Sequence, residues 1–430
     1  MSAHRPARGA PAPERDGAPR AGTDDGLRTA RPEARAGSQH PLAGAHRPHV
    51  AARLEDALDR RLARLLRYRG WTVRIEPYPG YGAPGWLRIM ARTLLAAPVV
   101  PDADLPGTGA VQAGAGAGAV PVTRQPAVRG WRSYLSVPVA GAAIEVVVGD
   151  QVHRLQTDRG GYVDQVVACD LPAGWHEVTL RTQDGVTAVA PVQVVDPSAR
   201  LGLVSDVDDT VMVTHLPRPL VAAWNVLVRD ENAREAVPGM AELYRRLVAT
   251  EPGAPVVYLS TGAWNAAPAI GRFLHRHRYP AGTMLLTDWG PTNTGWFRSG
   301  PAHKVAQLRR LFREFPDVRW VLVGDDGQRD PQVYAGAAGR LPAHVRAIAL
   351  RELTPAEHLL ASGEPTAPPG GRRAQRDAQH EGVPVVRGAD GHALAQRLEA
   401  VGVLPRQRQR PGAAAADQAA DRAAEQEGRR

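Results

Sequence analysis

Short apolar runs alternate with helical stretches through the second half of the chain. Each run ends at a polar loop, and apolar residues recur with helical spacing between the runs. The predicted strands cover 201–205, 256–260, 284–287, 320–323, 345–350 and 383–386, and the predicted helices cover 239–248, 266–275, 303–312, 332–338 and 391–401. This alternation predicts an α/β fold, a doubly wound and mainly parallel Rossmann-like sheet, over residues 197–404.

A different pattern precedes that domain. Ile144, Val146 and Val148 alternate with residues of the opposite face, as in a strand with one buried face. Turn signals follow at Gly149-Asp150, Gly160-Gly161 and Asp184-Gly185. Several short strands at this spacing predict a small antiparallel β-sandwich-like domain over residues 127–196.

The remaining segments have a simpler character. Residues 1–48 and 405–430 lack periodicity and are predicted to be disordered tails. Residues 49–126 are predicted to hold an amphipathic helix at 50–68, a β segment at 71–95 and a Gly/Ala-rich linker. The helix is indicated by the spacing of Leu54, Leu58, Leu62 and Leu65. We expect this face to pack on the next domain, and a membrane surface is the alternative.

Composition limits the compartment and the kind of metal site. The 430 residues contain one cysteine, Cys169, which excludes an intramolecular disulfide and a multi-Cys metal site and suggests a reducing compartment. We find no signal peptide and no apolar run of the roughly 18 residues that a spanning helix needs. A cytoplasmic protein, or one peripheral to a membrane, is therefore expected. The net charge of +9 favours anionic partners.

One basic residue is unusual. Of 53 Lys plus Arg residues, Lys304 is the one lysine. Arginine does not replace lysine where a compact ammonium must fit, so Lys304 is a candidate for chemistry. The alternative is that Lys304 is merely what a coding bias toward arginine has left.

Chemically useful side chains lie at the ends of three predicted strands, which end at 205, 260 and 323, and at the start of the predicted helix at 303–312. They are Asp206, Asp208 and Thr210, then Ser260 and Thr261, then Lys304, then Asp325, Asp326 and Asp330. In such a sheet the site forms at the carboxyl ends of the strands. Taken singly, these motifs are equally typical of polar turns, acidic loops, helix caps and solvated charges.

Taken together, they fit phosphoryl-transfer chemistry. Clustered carboxylates need a cation, and oxygen ligands without Cys or His favour Mg²⁺. One carboxylate can act as nucleophile and form an aspartyl-phosphate, while a second transfers protons to the leaving group and from water. Hydroxyl and ammonium groups can hold phosphoryl oxygens.

These motifs resemble those of a known family. Asp206-Val-Asp-Asp-Thr210, Ser260-Thr261, Lys304 and Gly324-Asp-Asp-Gly-Gln-Arg-Asp330 are similar, in order, to the four motifs of haloacid dehalogenase (HAD) superfamily phosphatases. More narrowly, they resemble the catalytic domain of the actin-patch-associated phosphatidate phosphatases, and lipins are more distant cousins. The resemblance implies a HAD-like fold, Mg²⁺ and conversion of phosphatidate to diacylglycerol.

The same resemblance implies a role for each matched residue. Asp206 would be the nucleophile and a Mg²⁺ ligand, and Asp208 would be the acid/base and contribute a metal ligand through its backbone. Ser260, with Thr261 as second choice, and Lys304 would bind the phosphoryl group, while Thr210 and Asp330 would support the site. Asp325 would bind the metal, although the neighbouring Asp326 leaves open which of the two does so.

The spacing of the motifs bears on the substrate. About fifty residues separate Asp208 from Ser260 and about forty separate Ser260 from Lys304, which leaves no room for a large cap domain. An uncapped site suits a lipid in a bilayer, a protein or a nucleic acid. We expect residues 211–229 to form a flap near this site. The aromatic residues near the same face could meet a lipid surface or pack internally, and they are Trp264, Trp289, Trp296 and Phe297.

Phospholipid at a membrane surface is the substrate that the resemblance implies, and nucleic acid is not the expected partner. A phosphatase acting on nucleic-acid ends or phosphoproteins remains an alternative, as does a non-enzymatic module that binds anionic surfaces. The sequence does not indicate the oligomeric state.

Overall fold

The computed structural model describes residues 61–96, 137–213, 235–287, 300–327, 329–362 and 382–406. Within these ranges the chain forms two β-sheets, one in each half, and six α-helices accompany the second sheet. The tail predicted at 1–48, the linker, most of the flap, nearly all of the tail predicted at 405–430, and Trp289, Trp296 and Phe297 lie outside the described residues. None of the helices in the described ranges is long and apolar enough to span a membrane.

The first sheet has eight strands. They are β1 (Thr72–Ala83), β2 (Gly85–Ala96), β3 (Val137–Pro138), β4 (Ala143–Val148), β5 (Gln151–Gln156), β6 (Tyr162–Cys169), β7 (Gly174–Thr182) and β8 (Thr187–Val194). The order is β3-β2-β1-β8-β7-β4-β5, and β6 pairs with the same edge of β2 as β3 does. The predicted turns at 149–150 and 184–185 join β4 to β5 and β7 to β8.

This sheet differs in two ways from the predicted sandwich. It is mixed, because β1 pairs with β8 in parallel, whereas the other pairs are antiparallel. It also includes β1 and β2, which the sequence indicated as a separate segment. The sheet curls, so that Gln165 on β6 donates a hydrogen bond to the carbonyl of Gln156 on β5. Its inner face encloses an apolar core that includes Cys169.

The amphipathic helix is described over residues 61–68, where it presents a different face from the predicted one. Ala63 and Leu66 pack inward, against the ends of β1 and β2 and against β3. The helix therefore packs on the next domain as expected, but Leu62 and Leu65 are exposed and do not form the packing face. Leu54 and Leu58 lie outside the described residues.

The second sheet confirms the predicted parallel α/β arrangement. Its strands are β9 (Leu201–Ser205), β10 (Val256–Ala263), β11 (Thr283–Thr287), β12 (Arg319–Asp325), β13 (Val345–Arg351) and β14 (Val385–Gly388). All neighbours are parallel, in the order β11-β10-β9-β12-β13-β14. The chain adds strands first on one side of β9 and then on the other, so β9 and β12 flank a topological switch point.

The helices that follow these strands are α1 (Met240–Ala249), α2 (Ala267–Arg276), α3 (Gly300–Glu314), α4 (Asp330–Arg340), α5 (Pro355–Ser362) and α6 (Gly391–Ala400). Helix α5 was not predicted. Its signal in the sequence is Thr354-Pro355-Ala356-Glu357, in which the Glu357 carboxylate accepts from the Thr354 backbone N–H at 2.8 Å. This is a capping box with proline at the first helical position.

A partly buried ionic network joins the two sheets at helix α3. Asp164 on β6 accepts from Arg88 at 2.7 Å and from Arg310 at 2.6 Å, and Glu314 accepts from Arg88 and from the Tyr81 hydroxyl. Burial alone would raise the pKa of Asp164, but Arg310 and Arg88 outweigh it and lower this pKa to about 2. Helix α3 is therefore held by charges that the first sheet supplies.

Candidate active site

Three buried carboxylates meet at the switch point. Asp206 follows β9, Asp325 ends β12, and Asp330 begins α4. One carboxylate oxygen from each lies within 4.8 Å of the others, and each residue is at most 2% exposed. The carboxyl ends of adjacent parallel strands bring together residues that are more than a hundred positions apart in sequence. This acidic triad could bind a metal ion.

The approach of Asp330 depends on a glycine. A Cβ built on Gly324 would lie 2.5 Å from the Asp330 Oδ2 and 2.8 Å from the Tyr334 ring. Both distances are shorter than carbon contacts tolerate, so only glycine fits without displacing these groups. Gly324 thus lets the start of α4 bring its carboxylate against the end of β12.

Lys304 lies within the triad. Its Nζ donates to Asp206 Oδ1 at 2.6 Å and to Asp330 Oδ1 at 2.5 Å, and the side chain is 3% exposed. Burial would lower the pKa of Lys304, but the two carboxylates outweigh it and the pKa is raised. The ammonium is therefore charged and shared between the carboxylate that follows β9 and the carboxylate that begins α4. Helix α3 begins at Gly300, a few residues before the predicted start, which places Lys304 in its second turn.

The electrostatics of the triad favour a cation. Burial raises the pKa of Asp325, and Asp330 and Asp206 raise it further. Burial also raises the pKa of Asp206, where Lys304 opposes the rise and Asp330 and Asp208 add to it. Three ionised carboxylates against one ammonium leave two negative charges on buried side chains. Such a site is stable only if the carboxyls are protonated or a positive ion neutralises them.

Unpaired carboxylate oxygens also favour a cation at the triad. Asp208 Oδ1, Asp325 Oδ2 and Asp330 Oδ2 are buried and have no hydrogen-bond partner among the described residues. A buried carboxylate oxygen without a partner is costly. The donor set is all oxygen, which suits a hard divalent ion.

The loop after β9 holds Asp206 by its backbone. The Asp206 amide donates to the Val323 carbonyl on β12 at 2.8 Å, and the Thr210 hydroxyl lies 3.5 Å from Asp206 Oδ2. Asp209 has a φ of +57°, in the left-handed region, and its carbonyl accepts from the buried Arg351 at 2.7 Å. Arg351 was not predicted as part of the site. Its position directly after the predicted strand 345–350 is the feature of the sequence that could have indicated it.

Asp208 lies beside the triad and pairs with the next strand. Its Oδ2 accepts from the Ser260 hydroxyl at 3.0 Å, and Ser260 Oγ in turn accepts from the Gly262 amide at 2.9 Å. The Asp208 carboxylate is not one of the three grouped above. The structure thus brings Asp208 and Ser260 together as a hydrogen-bonded pair.

Thr261 lies near the end of β10, and Trp264 follows that strand. The Thr261 carbonyl accepts from the Thr287 hydroxyl at 2.8 Å, and its side chain lies against Gly300 at the start of α3. Trp264 is 9% exposed and stacks on Tyr78 of β1, with ring centroids 4.4 Å apart. Of the two roles expected for Trp264, the structure supports internal packing.

Asp326 belongs to a separate ionic cluster. Its Oδ1 accepts from the Leu353 amide at 2.9 Å and lies 3.3 Å from His358 Nε2. Its Oδ2 accepts from Arg387 at 3.2 Å. The side chains of Asp325 and Asp326 therefore serve different partners, and Asp325 is the one that faces Asp206 and Asp330.

Residues 201–352 match a family model described as the catalytic domain of phosphatidate phosphatase APP1. The chain is 26% identical over 155 residues to an uncharacterized protein of Schizosaccharomyces pombe, and 23% identical over 170 residues to phosphatidate phosphatase APP1 of Saccharomyces cerevisiae. These alignments cover 36% and 39% of this chain but 25% and 28% of the relatives. The matched part thus spans about a quarter of each relative's length.

Similarity to solved structures is low. A carbohydrate acetylesterase from Xanthomonas citri is 10% identical, with a TM-score of 0.25, over 77% of this chain and 75% of that one. A 2,6-sialyltransferase from a Photobacterium species is 9% identical, with a TM-score of 0.19, over 58% of this chain and 49% of that one. Scores this low carry no argument about the fold. The sequence match confirms that residues 201–352, which hold the acidic triad and Lys304, resemble the catalytic domain of the actin-patch-associated phosphatidate phosphatases.

Proposed function

We propose that this protein is a Mg²⁺-dependent phosphatidate phosphatase of the HAD superfamily, which releases phosphate from phosphatidate and leaves diacylglycerol. The family match over residues 201–352 carries the proposal, because Asp206, Asp208, Ser260, Lys304, Asp325 and Asp330 all lie inside it. The strand order of the second sheet, with acidic residues after its first and fourth strands in the chain, supports the HAD assignment.

Asp206, Asp325 and Asp330 would hold the metal ion. Mg²⁺ prefers oxygen ligands and keeps several waters, which leaves positions for phosphate oxygens. When bound, it would neutralise the charge that the phosphate and the carboxylates share. Asp208 would contribute through its backbone carbonyl, as the family resemblance implies.

Asp206 would be the nucleophile. One of its carboxylate oxygens attacks phosphorus, the bond from phosphorus to the glycerol oxygen breaks, and an aspartyl-phosphate forms. The ion pair with Lys304 supports this role, because the ammonium favours the ionised form of Asp206 against the effect of burial on its pKa and leaves a positive charge beside the transferred group.

Asp208 would move the protons. As a carboxylic acid it gives a proton to the departing glycerol oxygen, and as a carboxylate it then takes one from the water that attacks the aspartyl-phosphate. That attack releases inorganic phosphate and restores Asp206. The hydrogen bond from Ser260 to Asp208 Oδ2 supports the assignment, since it fixes one oxygen and leaves Oδ1 for the substrate.

Ser260, Thr261 and Lys304 would bind the phosphoryl oxygens, and Thr210 would brace the loop. The substrate would be a phospholipid at a membrane surface, reached by a cytoplasmic protein without crossing the bilayer. The short spacings between the motifs support this choice, because a site without a large cap can accept a headgroup that stays in its bilayer.

The test is phosphate release from a substrate panel. Purified protein is given phosphatidate vesicles, a 5′-phosphorylated oligonucleotide or a phosphopeptide, each with Mg²⁺ or with EDTA. We expect release from phosphatidate with Mg²⁺ and loss of release with EDTA. A clear preference for the oligonucleotide or the peptide would refute the substrate, and release that persists in EDTA would refute the metal dependence.

Two variants complete the test. Asp206→Asn should abolish turnover while the fold is retained, since the amide cannot act as the nucleophile. Asp317→Asn is the matched control, because Asp317 is an exposed aspartate outside the site and should keep full activity. Appreciable release by Asp206→Asn would contradict the nucleophile assignment.

A further inference from the structure

The helix at residues 61–68 exposes an apolar stripe. Leu62, Leu65 and Tyr68 are 40%, 47% and 91% exposed. Their spacing of three residues places them along one side of the helix. Ala63 and Leu66 on the adjacent side pack on the first sheet, which fixes the helix and keeps the stripe facing outward.

Within residues 61–70, positive charge flanks this stripe. Arg61, Arg64, Arg67 and Arg69 are all exposed, and residues 61–70 contain no acidic residue. Exposed apolar side chains among arginines, on a helix anchored by its other face, are typical of helices that lie in a bilayer interface. A second copy of this helix would be a poor partner, because the arginines of the two copies would repel each other.

Strand β2 shows where this helix lies relative to the acidic triad. Near its start, Trp86 contacts Phe315, which precedes β12 and marks the amino edge of the second sheet. Further along, Arg92 lies over the Tyr162 ring, and that ring is 6.3 Å from Trp264. Trp264 follows β10 and marks the carboxyl edge, so β2 runs from the amino edge toward the carboxyl edge.

The helix packs on Leu95, near the far end of β2. It therefore lies beyond the carboxyl edge, the edge at which Asp206 and Asp325 are placed. Strand β1 runs antiparallel to β2 and leads to the same placement of the helix. The Gly80 carbonyl, toward the end of β1, accepts from the Thr283 hydroxyl at the amino end of β11. Tyr78, closer to the start of β1, packs on Trp264 at the carboxyl edge. The apolar stripe and the triad are thus on the same side of the second sheet.

We propose that this helix is a membrane-docking surface. Leu62, Leu65 and Tyr68 enter the headgroup region of an anionic bilayer, and the neighbouring arginines contact lipid phosphates. The choice of a lipid surface as the partner rests on the proposed function. Docking by this surface turns the carboxyl edge of the second sheet toward the bilayer from which the substrate comes.

The experiment measures binding without turnover. The full chain, carrying Asp206→Asn, is sedimented with vesicles of phosphatidylcholine and phosphatidylglycerol, which contain no phosphatidate. Addition of Leu62→Glu and Leu65→Glu together should lower the partition coefficient about tenfold or more, because two apolar side chains are lost and two negative charges face an anionic surface.

The control is Leu341→Glu. Leu341 is 39% exposed and follows α4, at the other edge of the sheet, so this variant should bind like the parent. A second variant, Arg61→Gln with Arg64→Gln, leaves the packed side of the helix intact and should also lose binding to anionic vesicles. This arginine variant tests the docking surface even if the leucine variant fails to fold.

Unchanged binding by both variants would overturn the proposal. So would a leucine variant that dissociates a dimer of the parent in sedimentation equilibrium, because the stripe would then contact a second copy. The result is independent of the substrate assignment. If the parent binds these vesicles but the active protein does not hydrolyse phosphatidate, the proposed function is refuted. If the active protein hydrolyses phosphatidate but Leu62→Glu with Leu65→Glu leaves vesicle binding unaltered, the docking surface is refuted.

Discussion

Replacing Asp325 and Asp326 one at a time should change stability in opposite directions, although the two residues are neighbours in sequence. Asp325 faces the carboxylates of Asp206 and Asp330, whereas Asp326 is held by an amide, a histidine and an arginine. Asp325→Asn therefore removes a charge that is repelled when no metal is bound. Asp326→Asn removes a charge that is stabilised by its neighbours.

The distance between the carboxylates sets the size of the effect expected for Asp325→Asn. Two unit charges 4.8 Å apart repel by about 3.5 kcal/mol at an effective dielectric constant of about 20. Lys304 and partial protonation offset some of this repulsion. We therefore expect Asp325→Asn to raise the free energy of unfolding of the metal-free protein by about 1–3 kcal/mol. Asp326→Asn should lower it by about 1–3 kcal/mol, because asparagine is uncharged and has one acceptor oxygen, so that its NH2 group would face either the Leu353 amide or Arg387.

Thermal unfolding in EDTA and in millimolar Mg²⁺ measures both quantities. Mg²⁺ should stabilise the parent and Asp326→Asn alike, because binding to the folded state alone adds about 2.7 kcal/mol at a hundred times the dissociation constant. Asp325→Asn should lose most of this increase. The reasoning fails if Asp325→Asn destabilises the metal-free protein and keeps its response to Mg²⁺, or if Asp326→Asn is the variant that loses the response.

Three further changes test other parts of the structure. Lys304→Arg should lower phosphate release about 100-fold or more with the fold retained, because a guanidinium does not fit where the compact ammonium lies; near-normal kcat/KM would show that lysine is dispensable. Gly324→Ala should displace Asp330, destabilise the protein by about 1–3 kcal/mol and weaken the stabilisation by Mg²⁺ in the same unfolding assay. Asp164 has a lowered pKa, so it contributes about 2 kcal/mol that is fully present above about pH 4 and is lost as the pH falls to about 2. Asp164→Asn should unfold at a lower temperature at pH 7 and differ less from the parent at pH 2; an equal difference at both pH values would contradict the assignment.

The second sheet could be predicted because local pattern and topology agree there. Buried parallel strands are continuous apolar runs, and their carboxyl ends share one edge. That was enough to bring Asp206, Asp208, Ser260 and Asp325 to one region. Alternation along a strand predicts that Asp325 and Asp326 face different sides, but the contacts in the structure decide which of them meets Asp206.

Other features depend on distant contacts that local pattern does not contain. Asp330 was expected to support the site, yet it lies in the triad, because α4 begins at that residue and Gly324 leaves space for it. The parallel pairing of β1 with β8 joins residues more than a hundred positions apart. The sequence indicated the helix at 61–68, but not which of its sides packs. Ala63 and Leu66 pack because the ends of β1 and β2 lie against them, and the sequence pattern does not contain that contact.

The ionic network at helix α3 has a consequence for how the chain folds during synthesis. Glu314 stands 226 residues after its partner Arg88, and Arg310 stands 146 residues after Asp164. The first sheet leaves the ribosome well before these partners exist. Contacts of such long range slow folding and leave charges uncompensated in the meantime. The first sheet can therefore complete these ion pairs only after the helix that bears Lys304 has been made, so the charge balance of the first half depends on the second.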